Sequence, residues 1–378
     1  MSFNFNYSLP VNLQFGRGEI NSIGEHAAKY GTRPLLVIGK NSARKSGLFD
    51  RVLTLLRASR VEPVIFDDVS SNPLTSMVAN GVAVARENNC DLLIGIGGGS
   101  ILDAAKGIAF MACNDGEIND YILGKAPSGG ALPIILAPTT CGTGSEGNTF
   151  AVFTNPNTMD KKSLKSSLLV PSVSIIDSTL MESLPTAVLA SVGLDAFCHS
   201  MEAYLSSKAQ PLVDVMVLEA MRLIADKLLT ICSGTGTADD WDKLALASTI
   251  GGMAIHSAGI TAGHAMEHPV SGLKDVAHGQ GLAAITSAIL RRTRGAATDR
   301  MTTISKILGG TEADDCADAF DRFADSIGMR YRLSDFGVTL QDVDWLTKNC
   351  LKVSAAGLSQ HPVVFDEQTI RELYTEAL

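Results

Sequence analysis

The first half of the chain alternates short apolar runs with amphipathic helical patterns, and this alternation restricts the possible folds more than any other feature. The apolar runs predict buried strands at 34–39, 61–66, 91–96, 133–137 and 173–176. Helical spacing follows three of them, at 47–59, at 75–88 and from Ile101 onward. Uninterrupted apolar strands separated by helices indicate a parallel sheet that is covered by helices on both faces.

This pattern ends at Pro185. From Thr186 onward the chain consists of long segments rich in Ala, Leu and Met, with almost no β-branched runs. Such segments predict a helical bundle, in which 233–240 (SGTGTADD) is an exposed loop between helices. We therefore expect an N-terminal Rossmann-like α/β domain at 1–185 and a C-terminal all-helical domain at 186–378. A length of 378 residues fits two domains.

Charge and cysteine content restrict the partners and the compartment. The formal net charge is −9, so nucleic acid and anionic membranes are not expected as partners. Seven cysteines, an odd number without a CxxC pair, predict reduced thiols and a cytoplasmic protein. The N-terminal MSFNFNYSLP lacks the features of a signal peptide. The apolar stretch 244–263 contains a histidine and two adjacent glycines, which favours a buried core helix over a membrane span.

A glycine-rich turn follows the strand predicted at 91–96. Residues 95–100 read GIGGGS, and a helix begins just after them. Glycines allow a bulky anion close to the backbone, and the free N–H groups of the helix N-terminus attract it. A pyrophosphate would fit this turn. The motif departs from GxGxxG and is no Walker A loop, so a plain strand–helix turn is the alternative for this element alone.

A second loop, PTTCGTGSE at 138–146, follows the strand predicted at 133–137. It should lie at the same carboxyl edge of the sheet, where open α/β sheets bind their ligands. A simple hydrogen-bonded turn is again the alternative. The two loops contain these candidate cofactor-binding residues: Gly97, Gly98, Gly99, Ser100, Thr139, Thr140, Thr143 and Ser145.

Histidines are concentrated in the helical half. Asp195 and His199 are spaced i, i+4 on the helix predicted at 191–205, which places both on one face. His264 and His268 repeat this spacing, and His278 follows ten residues later. Imidazoles together with one carboxylate suit Fe²⁺, Zn²⁺, Ni²⁺ or Mn²⁺. A surface pair or a structural core histidine is the alternative for any one pair, and we interpret His256 as structural.

Taken in order, four motifs resemble those of the iron-containing (group III) alcohol dehydrogenases, a family related to glycerol dehydrogenase and dehydroquinate synthase. GGGSILDAAK at 97–106 is similar to the family's GGGSxxDxAK, and 138–146 to its PTTxGTGSE. VGLDAFCH at 192–199 resembles the first metal motif, and GHAMEH at 263–268, with HG at 278–279, resembles the second. The resemblance covers most of the chain.

The resemblance implies a dehydroquinate synthase-like fold with cofactor and metal in the cleft between two domains. It implies an NAD(P)-dependent oxidoreductase in which iron polarises the oxygen of a primary alcohol or aldehyde while hydride moves to or from the nicotinamide. It also implies a homodimer or higher homo-oligomer. The family's motif positions imply the following roles: Asp195, His199, His264 and His278 as metal ligands, His268 in proton transfer near the substrate, Asp103 in the cofactor motif, and Lys161 near the nicotinamide.

One position departs from the family pattern. NAD-dependent members carry an acidic residue after the first strand of the dinucleotide-binding sheet, and this chain has Gly39 there. No carboxylate would then repel a 2′-phosphate, and Lys40, Ser42, Arg44 or Lys45 could contact one. We therefore expect NADP(H) to be favoured over NAD(H), with Gly39 and Ser42 at the adenosine end. An ordinary basic turn is the alternative.

The substrate and the reaction class leave alternatives open. We expect residues near Phe150, Phe153, Phe197 and Ile260 to form a mostly apolar pocket for a short alcohol or aldehyde, with Lys274 available for a charged one. A glycerol-type polyol dehydrogenase is the main alternative, although its metal site uses fewer protein ligands. A metal-independent reductase, a lyase of the dehydroquinate synthase kind and a non-enzymatic metal-binding protein are the others.

Overall fold

The structure of the protein is a computed structural model that describes residues 4–378. Its strands are β1 Leu13–Phe15, β2 Pro34–Gly39, β3 Val64–Val69, β4 Leu92–Gly97, β5 Ile134–Pro138, β6 Phe150–Thr154, β7 Lys161–Lys165 and β8 Val173–Ile176. Its helices are α1 Ile23–Ala27, α2 Ser42–Lys45, α3 Leu48–Ala58, α4 Thr75–Glu87, α5 Gly99–Ala112, α6 Ile118–Ile122, α7 Thr186–Leu205, α8 Pro211–Cys232, α9 Ala238–Ala258, α10 Ala262–Lys274, α11 His278–Thr293, α12 Thr298–Ile307, α13 Cys316–Ser326, α14 Val343–Val353, α15 Ala355–Gln360 and α16 Glu367–Glu376.

Six strands form a parallel sheet in the order β1-β8-β5-β4-β2-β3. Alternate residues of β2 enter different cores: Leu35 and Val37 pack on one face of the sheet, and Leu36 and Ile38 on the other. Both faces are therefore buried, as the unbroken apolar strands predicted. Helices dominate after residue 185, so the predicted fold class is confirmed.

Several predicted boundaries were wrong. The helix predicted at 191–205 begins at Thr186, and the last three residues of the loop predicted at 233–240 already belong to α9. Two other boundaries differ because residues assigned to a strand or a turn belong to the end of a helix. The strand predicted at 61–66 is β3, which begins at Val64. Arg60 adopts a positive φ of 61°, and the amide of Val61 donates to the carbonyl of Leu56, so these residues complete the end of α3. The helix after the first glycine turn begins at Gly99 rather than Ile101, since the carbonyl of Gly98 already accepts from residues 101 and 102.

The apolar stretch 244–263 is not one helix. α9 ends at Ala258, Gly259 adopts φ +73°, and α10 starts at Ala262 after a bend of 104°. Glycine tolerates this backbone conformation, which other residues rarely adopt. Within residues 4–378 no single helix is long and apolar enough to cross a membrane, and only the bent pair α9–α10 passes that test by length and composition.

An antiparallel hairpin, β6–β7, was not predicted. The sequence of β7, KKSLK, lacks the β-branched residues that mark strands. Packing fixes it instead: Leu164, Ala151 and Phe153 are buried in the core beside α5. The opposite face of the hairpin is left to line a cleft.

Candidate active site

The main cleft lies between the carboxyl edge of the sheet, the β6–β7 hairpin and the helices α7, α9, α10 and α11. Many residues singled out in the sequence line it together: Gly99, Ser100, Asp103, Thr143, Ser145, Lys161, Asp195, His199, His264, His268 and His278. The two glycine-rich loops and the histidines of the helical half therefore face one space.

Three imidazole nitrogens converge on one carboxylate oxygen at the floor of this cleft. The Nε2 atom of His264 lies 3.3 Å from Oδ1 of Asp195, and the Nε2 atoms of His199 and His278 each lie 3.7 Å from it. A tetrahedral ion with bonds of about 2.1 Å has ligand atoms about 3.4 Å apart. Ligand atoms of Asp195, His199 and His264 lie within 4.8 Å of one another, as a divalent cation needs, and His278 approaches this group through its 3.7 Å contact with Asp195.

Local structure explains how these four side chains meet. Asp195 and His199 lie one turn apart on α7, His264 is in the first turn of α10, and His278 begins α11. The start of α11 can approach α7 only because residue 279 is glycine, since a β-carbon there would overlap the carbonyl oxygen of Ser191.

Glu202 holds the second ring nitrogen of His264. Its Oε1 atom accepts from Nδ1 of His264 at 2.7 Å, and Oε2 accepts from the backbone amide of Thr261 at 2.6 Å. Burial alone would lower the pKa of His264, but Glu202 and Asp195 outweigh it and raise that pKa to about 10. Carboxylates in this position typically orient a metal-binding imidazole so that its other nitrogen faces the ion.

Glu267 stands in the same relation to His278. It contacts Nδ1 of His278, accepts from the hydroxyl of Ser271 and is fully buried. Neither carboxylate was predicted from the sequence. Glu202 follows Asp195 by seven residues on one helix face, and Glu267 lies inside the second metal motif, so helix periodicity around the histidines was the available signal.

The electrostatics of the cluster also suit a cation. Burial opposes ionisation of Asp195, but the neighbouring histidines hold its pKa below the usual range. Burial lowers the pKa of His199 to about 4, and its Nδ1 atom is a buried polar atom that lacks a hydrogen-bond partner among the described residues. Asp195 thus offers an ionised carboxylate and His199 a neutral imidazole, whereas the raised pKa of His264 means that a metal ion would have to displace a proton from this ring.

His268 is not among the histidines within 4.0 Å of Asp195, and its ligand atom lies within 4.8 Å of those of Glu267 and His278. Its ring centroid is 5.6 Å from that of His278 and 6.3 Å from that of His264. Burial, and then the positive charge of Lys161, hold the pKa of His268 well below its ordinary value. A neutral imidazole that lines the cleft can accept a proton.

The two glycine-rich loops touch each other. The backbone amide of Thr139 donates to the carbonyl of Gly97 at 2.9 Å, in continuation of the pairing between β4 and β5. Gly97, Gly98, Thr139 and Thr140 thus lie at adjacent strand ends, as expected for neighbouring parallel strands.

Lys106 ties the second loop to α5. Its buried Nζ atom lies 2.5 to 3.0 Å from five oxygen atoms of Ser145, Asn148 and Phe150 and shares its three N–H donors among them. Burial lowers the pKa of Lys106 to about 8, and the Asp103 carboxylate opposes that shift. Asp103 itself accepts from Oγ of Ser145 at 2.7 Å. These side chains form a buried polar network beneath the loops.

The turn after β2 carries acidic partners that the sequence did not reveal. Lys40 pairs with Asp68 at 2.8 Å, and Arg44 pairs with Asp67 at 2.7 Å. Gly39 and Ser42 lie at this turn and do not line the main cleft, although β2 is the direct neighbour of β4. The basic turn thus faces a pair of carboxylates at the end of β3.

Part of the expected substrate pocket was wrong. Phe150 and Ile260 line the cleft, but Phe153 is buried in the core beside α5, and Phe197 packs against two phenylalanines of α13. Lys274 pairs with Asp342 at 3.0 Å and does not line the cleft. A sequence pattern does not tell on which side of a buried element such residues point.

Comparison with known proteins gives matches along almost the whole chain. A family model described as iron-containing alcohol dehydrogenase matches residues 10–178, and one described as Fe-containing alcohol dehydrogenase family, C-terminal, matches residues 189–378. A 1,3-propanediol dehydrogenase of Klebsiella pneumoniae is 33% identical over 383 residues, which cover 99% of this chain and 98% of that protein.

Solved structures agree. The crystal structure of an archaeal halo-thermophilic alcohol dehydrogenase from a Red Sea brine pool superposes with a TM-score of 0.96 at 29% identity, covering 100% of both chains. An NADH-dependent butanol dehydrogenase A from Thermotoga maritima gives a TM-score of 0.92 at 29% identity, covering 99% of this chain and 98% of that one.

Proposed function

This chain belongs to the iron-containing alcohol dehydrogenase family, and we propose how its cleft performs the reaction of an alcohol oxidoreductase that uses a nicotinamide cofactor. The divalent metal ion of that reaction would be held by four residues: Asp195, His199, His264 and His278. The observation that carries this assignment is the convergence of three Nε2 atoms on Oδ1 of Asp195. Iron is the expected ion from the family, and the donor set also suits Zn²⁺, Ni²⁺ or Mn²⁺.

Bound there, the ion supplies Lewis-acid chemistry at the oxygen of a primary alcohol or aldehyde. Glu202 and Glu267 keep the rings of His264 and His278 turned with Nε2 toward Asp195. His268 accepts the proton of the alcohol in oxidation and returns it in reduction, which its place on the cleft wall supports.

The cofactor would lie along the carboxyl edge of the sheet. Its phosphates would meet the backbone amides of 97–100 and the hydroxyl-rich loop 139–145, with Asp103 and Ser145 beneath them. The nicotinamide would lie next to Lys161, whose Nζ atom donates to Oδ1 of Asn72 at 2.9 Å. The free N–H groups at the start of α5 support this placement.

We further propose NADP(H) as the favoured cofactor, with Gly39 and Ser42 at the adenosine end. The ion pairs of Lys40 and Arg44 are exposed, with side-chain exposures of 63% and 41%. Such pairs contribute about 0–1 kcal/mol each, so a phosphate dianion can replace the carboxylates as their partner.

We also propose a domain boundary, an oligomeric state and a cellular location. The domain boundary that we propose lies between residues 185 and 186, and the start of α7 at Thr186 supports it. A homodimer or higher oligomer is supported by apolar residues on the surface of α8, including Val215, whose exposure is 72%. A cytoplasmic location, with seven reduced cysteines, stays a prediction.

A glycerol-type polyol dehydrogenase is less well supported. By the resemblance of its motifs, that activity goes with fewer protein ligands, whereas here the Nε2 atom of His199 lies 3.7 Å from Asp195 as a further potential donor.

The test is metal analysis of the purified protein together with NADPH and NADH oxidation in the presence of short aldehydes. The expected result is about one metal ion per chain, and activity that a chelator removes and Fe²⁺ restores. Full activity in a metal-free protein would overturn the proposed metal role. Bound metal with no nicotinamide turnover on any aldehyde or alcohol would overturn the proposed reaction.

A further inference from the structure

A lysine without a carboxylate partner lines the cleft that contains the histidines. Lys165 is the last residue of β7, and its Nζ atom lies 4.7 Å from the ring centroid of Phe150 on the paired strand. Lys161, Ser163 and Lys165 alternate along the strand, so all three point to the same face, and all three line the cleft.

The charges around Lys165 are uncompensated. Among residues 4–378 no carboxylate forms an ion pair with it, whereas Lys274 and Lys352 are paired with Asp342 and Asp160. The charges that act on Lys165 are those of Lys208 and Lys162. Lys165 is exposed to the cleft, and partial desolvation followed by these two like charges lowers its pKa. In a chain of net charge −9, a lysine that lines the cleft and has no acidic partner favours an anionic ligand there.

The surroundings of Lys165 lie toward the break between α9 and α10. The Phe150 ring lies 5.9 Å from the ring of His256 on α9. Lys208 lies in the connection between α7 and α8, where the hydroxyl of Ser206 donates to the carbonyl of Ala258 at 2.6 Å. These contacts surround the break between α9 and α10, whose residues Gly259 and Ile260 line the cleft, and none involves the glycine-rich loops.

We propose that Lys165, assisted by Lys208, binds an anionic group at the end of the substrate opposite the reacting carbon, so that the preferred substrates are alcohols and aldehydes that carry a terminal carboxylate or sulfonate. Apolar side chains of Phe150, Ile255 and Ile260 would contact the carbons between the two ends. This inference rests on the proposed function, because it assumes that the reacting oxygen lies at the histidine cluster.

The test compares aldehydes matched in length that differ only in the terminal group. Butanal is compared with 4-oxobutanoate, pentanal with 5-oxopentanoate, and propanal with sulfoacetaldehyde. The wild type should prefer the anionic member in kcat/KM by roughly tenfold or more, since a charge-assisted hydrogen bond is lost in the neutral one. The carboxylate and sulfonate series identify which anion is bound, and the best chain length measures the span of the site.

Substitutions in β7 test whether Lys165 causes the preference for anionic aldehydes. Lys165→Met keeps the apolar stem and should lower kcat/KM for the anionic aldehydes by roughly tenfold, mainly through KM, with neutral aldehydes changed less than about twofold. Lys165→Arg should retain most of the preference. Lys162→Met is the matched control, because it removes the same charge from the same strand at a residue that does not line the cleft.

A binding measurement needs no turnover. Titration of the cofactor-bound enzyme with 4-hydroxybutanoate should show an affinity that Lys165→Met lowers and Lys162→Met leaves unchanged. Equal kcat/KM for butanal and 4-oxobutanoate in the wild type, or equal effects of the two methionine variants, would overturn the inference while leaving the proposed function intact. Absence of turnover with neutral and anionic aldehydes alike would instead contradict the proposed function, and this inference with it.

Discussion

The Nε2 atom of His264 lies 3.3 Å from the Oδ1 atom of Asp195, although 69 residues separate the two in the chain. Both side chains are buried, with exposures of 2%. His264 is held from behind by Glu202, so its Nε2 atom cannot turn away from Asp195 without loss of a buried hydrogen bond. This relationship is the geometric basis of the proposed metal site.

Replacement of His264 by alanine should remove metal and activity together. A four-ligand site that loses one donor should lose more than about 100-fold in metal affinity, because loss of an outer carboxylate alone typically costs 10- to 100-fold. Metal content and NADPH oxidation are measured side by side. His26→Ala, a change in α1 that does not line the cleft, is the control. Stoichiometric metal in His264→Ala would contradict the ligand assignment.

Glu202→Gln should weaken metal binding by roughly 10- to 100-fold and leave cofactor affinity unchanged. The amide keeps the volume but lacks the charge that raises the pKa of His264. Competition with a chromophoric chelator measures the metal affinity, and NADH fluorescence measures the cofactor. An unchanged metal affinity would show that Glu202 only packs against α10.

His268→Ala should keep the metal and slow turnover by roughly 100-fold or more, in the range of general acid–base catalysis. Its ring stands 6.3 Å from that of His264, outside the group of nitrogens around Asp195. Metal analysis and single-turnover kinetics are the measurements, with His268→Gln as a second variant of similar size. If the alanine variant loses its metal, His268 is a ligand and the proposed role in proton transfer is wrong.

Lys106→Met should destabilise the protein and weaken cofactor binding at once. Five oxygen atoms lose their donor inside the core, and removal of one partner of a buried charged network typically costs about 3–5 kcal/mol. Urea unfolding gives the free energy of unfolding, and NADPH titration gives the affinity. The exposed Lys29→Met is the control. A stability equal to that of this control would refute the role of Lys106.

Gly39→Asp should weaken NADPH binding relative to NADH by roughly tenfold, because a carboxylate would repel the 2′-phosphate. The nearest atoms to a β-carbon at this position are 3.6 and 3.9 Å away, on Ile101 and Ser42, so the side chain fits without a clash. Dissociation constants for both cofactors are compared with those of Gly39→Ala. Equal losses for the two cofactors would remove Gly39 from cofactor choice.

Much of the sheet could be predicted from local sequence. β2 and β8 lie where their apolar runs indicated, because a strand buried on both faces needs apolar residues at every position. β7 could not be predicted in this way: Lys161 and Lys165 line a cleft, and only Leu164 and Lys161 are buried. Its strand conformation depends on pairing with β6 and on packing against α5, which are long-range contacts.

The sequence by itself determined the short-range geometry of the site. The i, i+4 spacing of Asp195 and His199 places them on one helix face, and the glycine-rich loops follow directly from strand ends, because helix pitch and strand direction act within a few residues. Tertiary structure alone decided which side chains face one another. It brought His264 and His278 to Asp195. It also formed the ion pairs Arg44–Asp67 and Lys274–Asp342 and buried Phe197 against α13. Lys165 was left on the cleft wall without an acidic partner among the described residues. Such pairings depend on how whole helices pack, and the packing of distant segments has no signature in a local pattern of residues.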